Sequence, residues 1–276
     1  MAQFVEEKEF TFRRQEFDQI RELLYQKTGI QLAESKDSMV YSRLARRLRA
    51  LKLKTFSDYL AYLKKTPEEE EAFINALTTN LTSFFREKHH FPILHDFLVQ
   101  RSGPVRIWCA ASSTGEEPYS IAMTVVEAYG RFNPPVEIIA SDVDSTVLQK
   151  ARNGIYTMDN IRDIGDEQRK RFFHRGVGSN AGKVRVVPEL TKMIDFRQIN
   201  LTHKQWHLKA PIDVIFCRNV MIYFDRATQL DILQRMIELM PSSGLYIAGH
   251  SETFGGASHL VKPMGKTVYQ PVSGGA

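Results

Sequence analysis

Cysteine is scarce in this chain: two residues in 276, Cys109 and Cys217. They lie far apart in sequence and each sits in an apolar run. A disulfide-stapled scaffold is therefore excluded, and two buried thiols in a reducing cytosol are expected. Long hydrophobic runs are missing too. None approaches the roughly 18 residues that a membrane helix needs, so no membrane insertion is expected. The opening residues MAQFVEEKEF carry acids and no apolar stretch, so a signal peptide is not expected either. No Cys/His spacing suits zinc, and the histidines are scattered apart from His89-His90, so no metal is expected. His89 and His90 read as surface or helix-start residues. Internal repeats and low-complexity segments are absent. What remains, 43% hydrophobic and 25% charged, is the composition of a globular protein of one large domain or two ordinary ones.

Charge is mildly positive, +5 with a pI near 9.1. That permits an acidic partner without identifying one. Its distribution says more: from Ser38 to Ser57 there are six Arg or Lys residues and no acid. On a helical wheel Arg43, Arg46, Arg47 and Lys54 share a face, and Val40, Leu44, Leu48 and Leu51 share the neighbouring one. The leucines are expected to pack inward and the cations to face out.

The first 80 or so residues read as helices. EFDQIRELLYQKTGI places Phe17, Ile20, Leu23 and Leu24 on one face and stops at Gly29. VYSRLARRLRALKLK follows, then TFSDYLAYLKK with Thr55 as cap. TPEEEEAFINAL offers Thr66 as N-cap and Pro67 at the first helical position. After about residue 104 the pattern changes. Strands at 105–110, 136–142, 211–219 and 244–250 alternate with helices at 117–130, 144–152 and 226–240, and 266–272 reads as a last strand. Such alternation implies a mostly parallel sheet covered on both faces. Residues 172–200 break the rhythm. There KVRVV and MIDFRQI, with turn signals at Gly176, Gly178 and Gly182, suit an inserted antiparallel hairpin.

In open parallel sheets, ligands bind outside the carboxyl ends of the strands. The first of these strands runs into AASSTGEEPYS, small residues leading to a helix start. Asp142 ends the second, at the place where ribose hydroxyls are gripped. Asn200-Leu201 and Arg218-Asn219 follow two others. The G-x-G-x-x-G that fits a pyrophosphate is absent, and only Gly115 remains. This weighs against a dinucleotide and favours a ligand with one ribose, no phosphate and a zwitterionic end, the shape of S-adenosylmethionine. One further stretch is unusual. NALTTNLTSFFREKHHFP (75–92) mixes polar residues with Leu77, Leu81, Phe84, Phe85 and Phe91, as a segment pinned in place while its polar groups face something.

The segments TTNLTSFFRE (78–87), ASSTGEEPYSIAM (111–123), ASDVDSTVLQKARNGIY (140–156), IFCRNVMIYFD (215–225) and AGHSETF (248–254) together resemble the chemotaxis receptor glutamate O-methyltransferases, the CheR family. The resemblance implies an all-α N-terminal domain, residues 1–85, and an α/β, Rossmann-like class I methyltransferase domain, residues 86–276. It also implies a small three-stranded antiparallel β-subdomain inserted at about 172–200. S-adenosylmethionine would be the methyl donor and S-adenosylhomocysteine the product. Asn80, Thr82, Arg86, Glu117, Asp142, Asn200, Leu201, Arg218 and Asn219 match the family's cofactor contacts, and Arg86 and Tyr223 match residues implicated at the reacting end. The 75–92 stretch would then face the cofactor, with Phe84, Phe85 and Phe91 as its apolar pins.

By the same resemblance, the partners are methyl-accepting chemotaxis receptors, met in the cytoplasm. Their glutamate-rich methylation helices would meet Arg43, Arg46 and Arg47. A peptide of the receptor's C-terminal tail would add as a strand within 172–200, where Lys183 and Arg185 share a face and Pro188 limits the edge. The substrate carboxylate is already ionised at pH 7, since Glu titrates near ~4.3, so no general base is required. In-line placement and exclusion of water are the main tasks. A monomer suffices. Two other classes compete: a nucleic-acid methyltransferase, against which stands the lack of aromatic-and-basic interleaving, and a non-catalytic adaptor, against which stands the intact set Asn80, Arg86, Asp142 and Asn219.

Overall fold

The computed structural model describes residues 9–272. The reading of the opening residues as free of a signal peptide rests mainly on residues 1–8, outside the described ones. Two compact units divide between Thr79 and Asn80. That is six residues before the boundary drawn from sequence, because 80–85 hydrogen-bond and pack with the second unit.

Among its described residues the first unit holds four α-helices, α1 (Arg14–Thr28), α2 (Asp37–Leu51), α3 (Phe56–Lys65) and α4 (Glu69–Leu77). Their ends follow local chemistry. The Arg13 N–H donates to Glu16 Oε2 (2.6 Å), and Ser57 Oγ donates to Glu16 Oε1 (2.9 Å), which ties the start of α3 to the start of α1. Gly29 closes α1 in the left-handed region at φ 71°, where only glycine sits without steric cost. Thr55 caps α3 by accepting from the Asp58 N–H at 3.0 Å. α4 starts later than expected, with Glu68 at its N-cap, because the Thr66 and Pro67 carbonyls first close a turn with the Glu69 and Glu70 N–H groups. Phe17, Ile20, Leu24, Val40, Leu44 and Leu48 fill the core as the periodicity predicts, joined by Phe56 and Phe73, whereas Leu23 and Leu51 are only half-buried.

The cationic face of α2 is a correction. Arg47 makes a two-point bond to Glu69, Nε–Oε1 2.8 Å and Nη2–Oε2 2.6 Å, and Glu69 is only 5% exposed. Tyr59 Oη donates to the same carboxylate at 3.1 Å. Arg43 Nη1 donates to the carbonyls of Ala76 and Thr78 at the end of α4. These two arginines fasten α2 to α4, and of the three only Arg46 is exposed. A wheel drawn on one helix cannot show the neighbour that claims a side chain.

The second unit is a three-layer α/β fold. In chain order come α5 (His90–Val99), β1 (Val105–Cys109), α6 (Glu116–Tyr129), β2 (Val136–Asp142), α7 (Ser145–Asn153), β3 (Ile155–Thr157), α8 (Asp166–Phe172), β4 (Phe173–Arg175) and β5 (Lys183–Val186). Then follow α9 (Pro188–Thr191), β6 (Ile194–Gln198), β7 (Val214–Cys217), α10 (Arg226–Glu238), β8 (Leu245–Ala248), β9 (Val261–Gly265) and β10 (Val268–Pro271). The main sheet has the order β6-β2-β1-β7-β8-β10-β9. β6, β2, β1, β7 and β8 are parallel, and β10 and β9 antiparallel. Its central strands β1, β7 and β8 are almost wholly buried, which is why they read as unbroken apolar runs. Chain order reverses around β1, whose neighbours are β2 and β7, so the cleft belongs at the carboxyl ends of these strands.

A separate three-stranded antiparallel sheet, order β3-β5-β4, is the inserted subdomain. Two details of the expected hairpin change. MIDFRQI is β6, paired in parallel with β2 at the edge of the main sheet, so the small sheet spans 155–186 rather than 172–200. KVRVV supplies β5, the centre of that sheet, so it has no open edge; the open edges are β3 and β4. Short alternating strands do not announce their partners, and register here is set by Ile155 and His174 flanking Arg185. Lys183 and Arg185 do share the exposed face, with Val184 and Val186 turned inward. β9 was not read as a strand: its exposed KPMG lacks alternation, and Lys262 and Pro263 on an outer strand discourage further pairing. Among the described residues no helix is long and apolar enough to cross a membrane.

Candidate active site

The linker that enters the second unit is pinned by its phenylalanines. The Phe84 ring lies 4.9 Å from Tyr156 and 5.5 Å from Phe173, and Phe85 lies 4.9 Å from Phe91, which stacks toward Phe216 on β7. Leu81 is not a pin; it is 80% exposed. Ser120 Oγ on α6 accepts the Phe85 N–H at 2.9 Å. Between these anchors the backbone takes left-handed conformations at Phe85 (φ 51°) and Glu87 (φ 53°). Two more lie at the strand ends, Ser113 (φ 47°) after β1 and Asn219 (φ 58°) after β7. Non-glycine residues in this region cost about 1–3 kcal/mol each and cluster at functional sites.

Two hydrogen-bonded groups face this linker. The first joins β1, β2 and α7. Asp142 Oδ2 accepts the Ser113 N–H (2.8 Å) and its Oδ1 the Asp144 N–H (3.0 Å). Asp144 caps α7 and accepts from Asn80 Nδ2 at 2.9 Å, while Ser113 Oγ donates to the Asn80 carbonyl at 2.9 Å. Burial drives the Asp142 carboxyl up to about 6, against the pull of the two N–H donors. Gly115 starts α6 at φ 101°. A Cβ there would fall 2.7 Å from Tyr156 Oη and 2.9 Å from Ala151 Cβ, so this loop lies close against its neighbours and only glycine fits. The Ile199 N–H bonds the Asp142 carbonyl at 3.0 Å and brings Asn200 to the same edge. Asn200 Oδ1 accepts from the Thr202 N–H and hydroxyl (3.0 and 2.7 Å), and Leu201 is buried.

The second group centres on Arg218, whose side chain is fully buried. Its Nη1 pairs with Glu117 at the start of α6, its Nη2 donates to the Arg86 carbonyl (2.6 Å), and Nη2 lies 3.4 Å from Glu87 Oε2. Cys109 Sγ donates to Glu117 Oε1 at 3.2 Å, and burial holds this thiol well above its ordinary value. Burial would push Glu87 up too. Arg218, the His250 N–H and Asn219 Nδ2 more than offset this and leave its carboxyl below the usual value. Arg86 Nη1 donates to the Leu81 carbonyl (2.9 Å) and is half-buried. Thr82 and Tyr223 are half-buried and make no side-chain hydrogen bond to another described residue. Tyr223 ends a 3-10 turn, Met221–Tyr223.

Of the residues expected from sequence, Asn80 and Asp142 meet in the first group, and Arg86, Glu117, Arg218 and Asn219 in the second. Asn200 and Leu201 border the first, and Thr82 lies in the linker between the two. Three carboxylates were assigned no role from sequence. Glu87 and Asp144 join the two groups described. Glu252, in AGHSETF, accepts the N–H groups of Asn219, Val220, Met221 and Gly249. Its signal was present: an acid a few residues past the end of β8, three residues after a glycine.

His90 corrects its surface reading. It does open α5 but is fully buried, with Nε2 against the Lys266 carbonyl (2.9 Å) and Thr267 Oγ1 (3.1 Å), and burial lowers it to about 4. Glu87, His89 and His90 bring ligand-type atoms within 4.8 Å of one another. The Arg218 guanidinium on Glu87 and the positive end of α5 both oppose a cation there.

These residues fit a ligand with a ribose and a zwitterionic tail. Asp142 keeps lone pairs for hydroxyls at the carboxyl end of β2, the β1–α6 turn admits close approach of backbone, and the buried Ser112 Oγ and Glu87 Oε2 have no hydrogen-bond partner among the described residues. No glycine-rich cradle for a pyrophosphate is present.

Comparison with known proteins agrees with this chemistry. Residues 80–270 match the family described as "CheR methyltransferase, SAM binding domain", and residues 15–78 match "CheR methyltransferase, all-alpha domain". The chain is 56% identical over 266 residues to "Chemotaxis protein methyltransferase 2" of Pseudomonas aeruginosa, covering 95% of each. It is 50% identical over 255 residues to "Chemotaxis protein methyltransferase" of Salmonella typhimurium, covering 92% of this chain and 88% of that one. The Escherichia coli protein of that description is 50% identical over 255 residues, with 92% and 89% covered.

Proposed function

This chain belongs to the CheR family of S-adenosylmethionine-dependent methyltransferases, and from that premise we propose that it esterifies glutamate side-chain carboxylates of methyl-accepting chemotaxis receptors in the cytoplasm. It is a methyltransferase of chemotaxis, and its cofactor is S-adenosylmethionine. The observation that carries the residue assignment is the pair of charged groups at the strand ends: Asp142 at β2, and Glu117–Arg218 reaching Arg86 and Glu87 across β1 and β7.

When bound, the cofactor supplies a methyl group already activated by its sulfonium, so the residues have placement rather than activation to perform. Asp142 accepts from the ribose hydroxyls. Asn200-Leu201 border the adenine side, and Glu117, Arg218 and Asn219 line the zwitterionic end. Asn80 and Thr82 cover the cleft from the linker. Arg86 holds the incoming carboxylate, and the Tyr223 hydroxyl, which has no hydrogen-bond partner among the described residues, orients it. The Arg86 carbonyl is fixed by Arg218 while, among the described residues, its guanidinium is held by one carbonyl, so the cation stays available to a carboxylate. Water is excluded by the pinned phenylalanines Phe84, Phe85 and Phe91.

Docking on glutamate-rich receptor helices falls to Arg46 and the exposed Lys52 and Lys54, because Arg43 and Arg47 are engaged within the helical unit. A receptor-tail peptide would add to an open edge of the small sheet, β3 or β4. Beside β4 the exposed His174 and Arg185 could meet an acidic residue. The test is incubation with labelled S-adenosylmethionine and receptor membranes followed by base. Glutamyl methyl esters release volatile methanol; base-stable label, or label in added nucleic acid, would overturn the reading.

A further inference from the structure

Glu252 is 4% exposed, yet no cation lies against it among the described residues. Its carboxylate is satisfied by four backbone donors. Oε1 accepts the N–H groups of Val220 (2.9 Å) and Met221 (2.8 Å), and Oε2 those of Asn219 (2.8 Å) and Gly249 (2.6 Å). Three of these donors are consecutive, so one side chain fixes the whole turn that leaves β7. Asn219 stands in that turn at φ 58°, a conformation that needs outside support. The turn's carbonyls are held from the other side, where Gln229 Nε2 on α10 donates to Met221 O (2.9 Å) and Phe224 O (3.0 Å). Tyr223 is fixed in sequence with it, since its N–H bonds the Val220 carbonyl at 3.1 Å. Gly249 leaves the space: a Cβ there would fall 2.5 Å from Asn219 Nδ2 and 2.8 Å from Glu252 Oε2. Burial pushes the Glu252 carboxyl above its ordinary value, against the four donors.

We propose that Glu252 is a positioning residue for methyl transfer, holding the Asn219–Tyr223 turn so that Asn219 meets the cofactor and the Tyr223 hydroxyl meets the substrate carboxylate. The proposal rests on the reading of Asn219 and Tyr223 given above. A carboxylate suits the task because all four groups it meets are donors, and an amide at that place must turn its own NH2 against some of them.

The experiment compares the full-length protein with Glu252→Gln, Glu252→Asp and Gly249→Ala. S-adenosylhomocysteine affinity is read by calorimetry, and kcat and KM with receptor membranes, well below each variant's Tm. Glu252→Gln is expected to weaken cofactor affinity and lower kcat, each by about ten-fold, the size of one or two misplaced hydrogen bonds. Glu252→Asp, which keeps the charge, should recover part of both. Gly249→Ala should reproduce the loss with Glu252 intact, and it answers the question if Glu252→Gln does not fold. Combining Glu252→Gln with Asn219→Ala should cost less affinity than the two separate losses together, because both act on one contact. A folded Glu252→Gln with a lowered Tm but unchanged affinity and kcat would overturn the proposal, as would additive losses in the double variant. If the unaltered protein bound no S-adenosylhomocysteine, it is the functional reading that would fall instead.

Discussion

Two sets of arginines in this protein look alike in sequence and serve different ends. On α2, Arg43 and Arg47 lie on an acid-free face that reads as a docking surface, yet both are consumed inside the helical unit, one by the Ala76 and Thr78 carbonyls and the other by buried Glu69. At the strand ends, Arg218 is also engaged and is wholly buried, but its partners Glu117 and Glu87 and the Arg86 carbonyl come from segments that meet at the cleft. The first arrangement closes a helical core. The second fixes the backbone of the very residue expected to hold a substrate. Charge in a sequence therefore identifies neither a surface nor a site; what decides is which elements the charged group joins.

The strongest way to separate the two is to remove each buried connection. Arg218→Met leaves Glu117 and Glu87 as uncompensated buried charges and should cost about 3–5 kcal/mol of stability. Urea unfolding should show this, and calorimetry should show the loss of S-adenosylhomocysteine binding. Arg47→Ala strands Glu69 and Tyr59 in the same way, but the arginine is 31% exposed and water screens the change. The expected cost is about 2 kcal/mol, between surface and buried pairs. Cofactor affinity should be untouched. A loss of affinity in Arg47→Ala at full stability would erase the distinction.

What was legible in the sequence follows the same line. Asp142, Arg218 and Asn219 could be found because they stand next to strands whose ends define the cleft, a relation carried by a few adjacent residues. The helix stop at Gly29 and the cap at Thr55 are likewise local. The Arg47–Glu69 bond was not legible, since its partner lies 22 residues away on another helix. Nor was the central place of β5, because period-two alternation fixes which residues point inward but not which strands flank them. Glu252 was hidden differently. Its motif was noticed, but an acid whose partners are backbone N–H groups leaves no complementary residue in the sequence to point to it.

The next prediction sharpens the cleft side by pH. Asp142 titrates near 6 in the folded chain instead of its ordinary 3.8, because it is buried. Between those values the folded state holds a proton that the unfolded state has released. The stability this group contributes is thus complete below about 3.8 and is lost as pH rises through 6. Cofactor binding should run the opposite way, since ribose hydroxyls donate to the ionised carboxylate. S-adenosylhomocysteine affinity should rise by about ten-fold as pH passes through that value. Asp142→Asn should bind weakly and show no such step. An identical pH profile in the variant would assign the titration to another group.

The smallest effect belongs to Arg46, the residue that turns the comparison around. It is exposed and makes no hydrogen bond or ion pair to another described residue, unlike Arg43 and Arg47 on either side of it. Arg46→Glu should therefore change stability by no more than about 0.5 kcal/mol, the usual range for a surface site. If α2 meets acidic receptor helices, the reversal should slow methylation of receptor membranes by a few-fold at low salt, through encounter rather than chemistry. The deficit should fade near 1 M salt, where charges are screened within about 3 Å. Cofactor affinity should match that of the unaltered protein throughout. Arg47→Ala should give the reverse pattern, with a lower Tm and little salt dependence in its methylation rate at temperatures where it is folded. Equal rates for Arg46→Glu and the unaltered protein at low salt would mean that no docking charge remains at the centre of α2 once its structural arginines are set aside.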